Sequence, residues 1–152
     1  MRVYIPASRT LVRDVVRGED LHAGRGFAAT AELLEAYGLE PGDEEIAEAI
    51  AMALAAHASR ALVGTADETR GLRVVLAADV PDAQPIGEDD VGAVGWTAAL
   101  PASAVASLHI DPMPAPAAAE DELDDVTQLL WYDRDEAAGL VTQWDQEGTT
   151  HA

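Results

Sequence analysis

Apolar positions recur with a helical period over one long stretch, Asp43 to Val63 (DEEIAEAIAMALAAHASRALV). Ile46, Ile50 and Leu54 fall on one arc with Ala53, His57 and Ala61, the spacing that predicts one face of an α-helix. Alanine, the strongest helix former, dominates the window. Pro41-Gly42 is a turn signal, and Asp43-Glu44-Glu45 puts negative charge where the helix dipole is positive. Gly64 ends the pattern. At 1.5 Å per residue such a helix runs roughly 30 Å, the width of a small domain. Its small side chains suit close packing, so the pattern predicts a spine laid across a sheet.

Around this spine the pattern changes to short strands and short helices. Arg2-Val3-Tyr4-Ile5-Pro6 reads as a strand closed by Pro6. Ser8 or Thr10 caps a helix over Leu11–Arg17, which Gly18 stops. Gly24-Arg25-Gly26 reads as a loop and Phe27–Thr30 as a second short strand, with Thr30 capping a helix over Ala31–Tyr37. The near-continuous apolar run Leu72–Ala78 predicts a strand buried on both faces, ended by Asp79-Val80-Pro81-Asp82. An acidic loop follows at Pro85–Asp90. Next come a strand over Ala93–Leu100 with Trp96 on one face, a turn at Pro101–Ala104, and a strand over Val105–Ile110.

Asp111–Asp125 combines prolines, alanines and an acidic cluster and reads as a mobile loop. Leu129–Tyr132 returns to an aromatic strand. Asp133 or Asp135 caps a final helix reaching Val141 or Gln143, with Trp144 as a staple. The expected organisation is one domain over residues 1–143 and a tail over 144–152. The expected class is α/β or α+β, a mixed four- to six-stranded sheet with the 43–63 helix on one face. Strands near 2–7, 73–79, 93–100 and 105–110 form the centre and 128–132 an edge.

Composition narrows the function classes. The absence of Cys excludes disulfides, thiol catalysis and Cys-ligated metal. No apolar run is long enough to span a bilayer, and Met1 leads straight into a strand-like segment without a signal-peptide pattern, so a cytoplasmic protein is expected. The net charge is −19, with no Lys and nine Arg carrying the fixed positive charge. Such a surface repels phosphate and anionic lipid, which argues against direct nucleic-acid or membrane binding. It suits a basic protein partner, or an acidic mimic of nucleic acid.

Four segments, MRVYIPAS, RVVLAADVPDA, ALPASAVASLHID and LLWYDRDE, occur in this order across nearly the whole chain. Together they resemble an uncharacterised family of small actinobacterial proteins with an MRVY-[IV]-P-A opening and an LLWY closing motif. The resemblance implies a cytoplasmic protein of a high-GC bacterium and carries no activity, cofactor or site residue with it. The Asp111–Glu122 segment is shorter and richer in Pro than the family pattern, as in a variable loop.

The best chemical constellation is Asp79, Asp82, His109 and Asp111. If the strands holding Arg73 and Val105 were parallel neighbours, Asp79 and Asp111 would emerge at one sheet edge, where ligands collect in open sheets. His109 and Asp111, two apart in an extended strand, would share a face. Carboxylates with an imidazole can hold a divalent cation and activate water, although a strand-end Asp before Pro is also an ordinary turn residue. His57, on the apolar arc, reads as a buried neutral imidazole. Arg9, Arg13 and Arg17 form one helix stripe, read as a solvent face that makes intramolecular pairs with this acidic chain. Ser8 lacks a nucleophile-elbow pattern and reads as a cap. Trp131 and Tyr132 should point to opposite faces, one to the core and one to the surface, where an exposed ring suits a protein contact.

The expectation from sequence is therefore a non-catalytic cytoplasmic protein that binds another protein and needs no cofactor. The alternatives are a metal-dependent hydrolase using Asp79, His109 and Asp111, and an acidic nucleic-acid mimic. Oligomeric state is not legible.

Overall fold

Among the described residues seven strands form one sheet, in the spatial order β4-β5-β2-β1-β3-β6-β7. The strands are β1 (Arg2–Ala7), β2 (Gly24–Phe27), β3 (Val74–Asp79), β4 (Gln84–Pro85), β5 (Ala93–Trp96), β6 (Val105–Ile110) and β7 (Leu130–Asp133). Four helices cover it: α1 (Arg9–Val16), α2 (Ala31–Ala36), α3 (Glu44–Val63) and α4 (Ala137–Thr150). The computed structural model describes residues 1–22, 24–63, 72–87, 91–112 and 129–150. The α+β single-sheet class matches expectation, but the sheet has more strands than the four to six expected, and every pairing is antiparallel rather than mixed. Strand β1 lies at its centre between β2 and β3, and the Ala93 and Val105 strands, both expected in the middle, each lie next to an edge. The predicted mobile loop at 111–125 falls, beyond Pro112, outside the described residues.

Alternation along the central strands divides the core in two. Ile5, Leu76 and Leu108 point to the face covered by α1 and α4, where they meet Val12, Val15 and Trp144. Tyr4, Val75 and Ala77 point to the opposite face, under Leu33 of α2 and the alanines of α3. Strand β3 is buried on both faces, as its unbroken apolar run predicts.

Helix α3 is the predicted spine, but it turns a different side to the sheet. Ala47, Ala51 and Ala55 are fully buried, whereas Ile46 is 53% exposed and His57 is exposed too. The small residues form the contact because methyl groups allow the helix backbone to come close to the sheet, and the larger Ile50 and Leu54 fill its half-buried flanks. His57 is therefore a surface residue, not the core imidazole its position on the apolar arc suggested. The same four-residue series ends in Ser59, fully buried. Its hydroxyl donates to the Ala7 carbonyl and accepts from the Val74 N–H, both at 3.0 Å, clamping β1, β3 and α3 at one point.

Other differences have local causes. Pro6 lies inside β1, which continues to Ala7. Strand β2 meets β1 in register only at Tyr4, so Pro6 withholds no N–H from a registered pair with β2. The Gly24-Arg25-Gly26 loop is in fact β2, and Ala28–Thr30 is the connection. Gly26 is there for space, since a Cβ would lie 2.6 Å from Val3 Cγ1 and 2.7 Å from the Tyr4 carbonyl oxygen. Pro85 belongs to the short strand β4 rather than to a loop.

Helix α1 is capped by Ser8, as expected, and ends at Gly18, whose φ of 77° favours glycine. The arginine stripe on α1 makes the expected intramolecular pairs at Arg13 and at the exposed Arg17, which meets Asp14 at 3.9 Å, but Arg9 is not on a solvent face. Arg9 is 6% exposed and stacks over the Trp144 ring at 4.8 Å, and Arg13 pairs with Asp145 at 3.1 Å. Two of the three arginines thus join α1 to α4, and the anchored helix continues through Thr150 instead of ending in a tail at 144. Trp144 is the staple its position predicted.

Candidate functional site

The antiparallel sheet disperses the acidic set. Strands β3 and β6 run in opposite directions, so Asp79 and Asp111 stand at opposite ends of β3, roughly 20 Å apart for a six-residue strand. The parallel arrangement that would have joined them is absent. Asp111 instead turns back on Arg73, at the start of β3. It accepts from the Arg73 backbone N–H at 2.9 Å, from Nε at 2.7 Å and from Nη2 at 2.8 Å. Both side chains are essentially inaccessible, at 2% and 1%. Each Asp111 oxygen is already bound to a cation, so a metal would have to displace a buried guanidinium.

Asp79 pairs with Arg2 across β1 and β3, at 3.0 Å. Asp79 and Asp82 both line a pocket of about 290 Å³, together with Val80, Pro81, Trp96 and Leu100. Cationic groups neighbour two of these lining residues. Arg2 faces Asp79, and the terminal ammonium of Met1 donates to the Val80 carbonyl at 3.2 Å. Among the described residues, no three His, Asp or Glu side chains gather in a metal-binding group.

His109 sits half-buried on the α3 face of the sheet, its Nε2 at 3.1 Å from the Ser107 hydroxyl. Burial pushes its pKa below 6.5, and the charge of Arg2 pushes it the same way. The sequence reading missed Ser107, although the i, i+2 spacing in a strand places the two side chains on one face.

The most exposed chemistry lies at the sheet edge. Strand β7 pairs with β6 alone and is the last strand of the sheet, so among the described residues its outer backbone groups have no strand beside them. Trp131 is 59% exposed and Leu130 45%, while Tyr132 packs against the core of the α1–α4 face. The expected division of Trp131 and Tyr132 between surface and core is what the strand shows. Leu130 was missed as a surface residue because LLWY reads as a uniformly apolar run. Beyond β7 the chain enters a 3-10 turn held by a capping box between Asp133 and Glu136. Arg134 donates to the Ser103 and Val105 carbonyls at 2.6 and 3.2 Å, which holds its half-exposed guanidinium at the start of β6. Asp133, Asp135 and Glu136 remain exposed at the surface.

No helix among the described residues is long and apolar enough to cross a membrane. No curated protein and no solved structure matches the chain significantly. The matching family model spans β1 to the first turns of α4, including both the central strands and the β7 edge. Over residues 1–141 the chain belongs to the family of unknown function DUF6912.

Proposed function

We propose that this is a non-catalytic cytoplasmic protein that acts by binding another protein, and that β7 is its contact surface. The observation that carries this reading is the exposure of Trp131 and Leu130, at 59% and 45%, on a terminal strand. A large indole on open backbone is unusual on a surface that only needs to be soluble, and tryptophan is a common anchor of protein interfaces. The charge of −19 favours a basic partner.

A metal-dependent hydrolase using Asp79, His109 and Asp111 draws less support, because Arg2 and Arg73 already neutralise the two carboxylates. An acidic mimic of nucleic acid would use the general anionic field, so its binding would fade with salt and ignore Trp131. The test is co-purification of the tagged chain from its own cells, comparing wild type with Trp131→Ala and Ile86→Ala. A stoichiometric protein lost with Trp131→Ala and kept with Ile86→Ala is the expected result. A partner kept by both variants, or no partner for the wild type, contradicts the reading.

A further inference from the structure

We infer that β7 accepts an extended segment of a basic partner as an eighth strand, and that this segment alternates apolar residues with arginine or lysine. The inference rests on the protein-binding reading above and specifies the partner's chemistry.

Register with β6 fixes where each β7 side chain points. Leu130 lies opposite Ile110 and Tyr132 opposite Leu108, both core residues of the α1–α4 face. Trp131 lies opposite His109 and Asp133 opposite Ser107, so these two share the other face. A strand added outside β7 inherits this division through the pleat. On the α1–α4 side its residues meet Leu130 and the edge of Tyr132, where an apolar side chain gains burial. On the opposite side they meet the Trp131 ring and the Asp133 carboxylate. A guanidinium stacks on an indole face and pairs with a carboxylate, so a cation suits both neighbours. Alternate residues of a strand are about 7 Å apart, the same interval that separates Trp131 from Asp133. A segment with a cation at every second position therefore matches both at once.

The main chain supplies the rest, since strand addition pairs open backbone groups and leaves specificity to alternate side chains. Arg134, the nearest following cation, is held at the Ser103 and Val105 carbonyls. A second copy fits less well, because it would bring another −19 to the interface.

Three peptides test this: acetyl-(Arg-Val)4-amide, the same peptide methylated at every backbone nitrogen, and acetyl-(Glu-Val)4-amide. Trp96 and Trp144 are each 6% exposed, so acrylamide quenching of the folded protein reports mainly on Trp131. Amide exchange across Leu130–Asp133 gives the second readout. The expected result is saturable, salt-sensitive binding of the Arg-Val peptide that shields Trp131 and slows exchange in β7. The methylated and Glu-Val peptides should bind about tenfold or more weakly, as should the Arg-Val peptide to Trp131→Ala. Equal binding of the methylated peptide overturns strand addition while leaving a protein contact at Trp131 intact. Failure of the Arg-Val peptide to bind, with a cellular partner still held through Trp131, overturns the alternating basic chemistry. Sedimentation of the free protein as a dimer with protected β7 amides gives the edge to a second copy and overturns the inference. Loss of the cellular partner's dependence on Trp131 defeats the parent reading instead.

Discussion

At one edge of the sheet, β4 is two residues long and one of them is Pro85; at the other, β7 runs four residues without a proline and exposes Leu130 and Trp131. Short strands and prolines are the usual protection of a sheet edge, because they leave too few donors in line for another strand to join. The first edge has that protection. The second lacks it and adds an indole, which raises the cost of leaving it in water. Among the described residues one edge of the sheet is thus protected and the other is not, and the proposed protein-binding reading rests on this difference.

The two halves are also held differently, and variants can separate them. The largest effect is expected for Asp111→Ala, which removes the carboxylate paired with the buried Arg73 guanidinium. Breaking such a pair costs about 3–5 kcal/mol, measurable by denaturant unfolding. Amide exchange should rise more in β6 and β7 than in β4 and β5, because Arg73 and Asp111 tie the start of β3 to the end of β6. Gly26→Ala should act on the other half. Its methyl group meets Val3 and the Tyr4 carbonyl, and the expected loss is about 1–3 kcal/mol, with exchange rising in β2 and β5. Ser59→Ala removes the clamp on the two central strands, so it should lower stability by roughly 1–3 kcal/mol and loosen both halves together.

A smaller effect comes from pH. His109, one strand inside β7, has a folded pKa below its ordinary 6.5. Between that folded value and 6.5 the unfolded chain holds a proton that the folded chain lacks, so stability falls as pH falls through this window. Thermal melts from pH 7 downward should show this slope, and His109→Gln should flatten it. The smallest stability change is expected for Trp131→Ala, within about 0.5 kcal/mol, since an exposed side chain leaves no cavity. A large loss of stability there would mean that Trp131 supports the fold rather than a partner.

Much of the fold was legible in the sequence because its periodicity is local. The α3 boundaries, the Ser8 and Thr30 caps, the two-sided burial of β3 and the placing of β7 at an edge follow from short patterns and neighbouring signals. Other features depend on what lies across the sheet. The buried side of α3 was misread because hydrophobicity ranks Ile46 above Ala47, whereas close packing selects the smaller side chain. The β2 glycines looked like a loop because the close contact that requires Gly26 comes from β1, more than twenty positions earlier. The candidate metal set was drawn on an assumed parallel pairing of β3 and β6. Strand direction decides whether Asp79 and Asp111 meet, and periodicity does not encode direction. Trp131 and Tyr132 were separable because alternation within one strand is enough to set them apart.

The most direct test of the open edge is photocrosslinking in the source cells, with a benzophenone side chain at position 131 in one variant and at position 86, beside the β4 edge, in another. Ile86 is itself 37% exposed, so the two probes differ in the edge they report on rather than in being at the surface. The account predicts a discrete adduct with a basic protein from position 131 and none from position 86. Adducts of equal yield from both positions, or none from position 131, would contradict it.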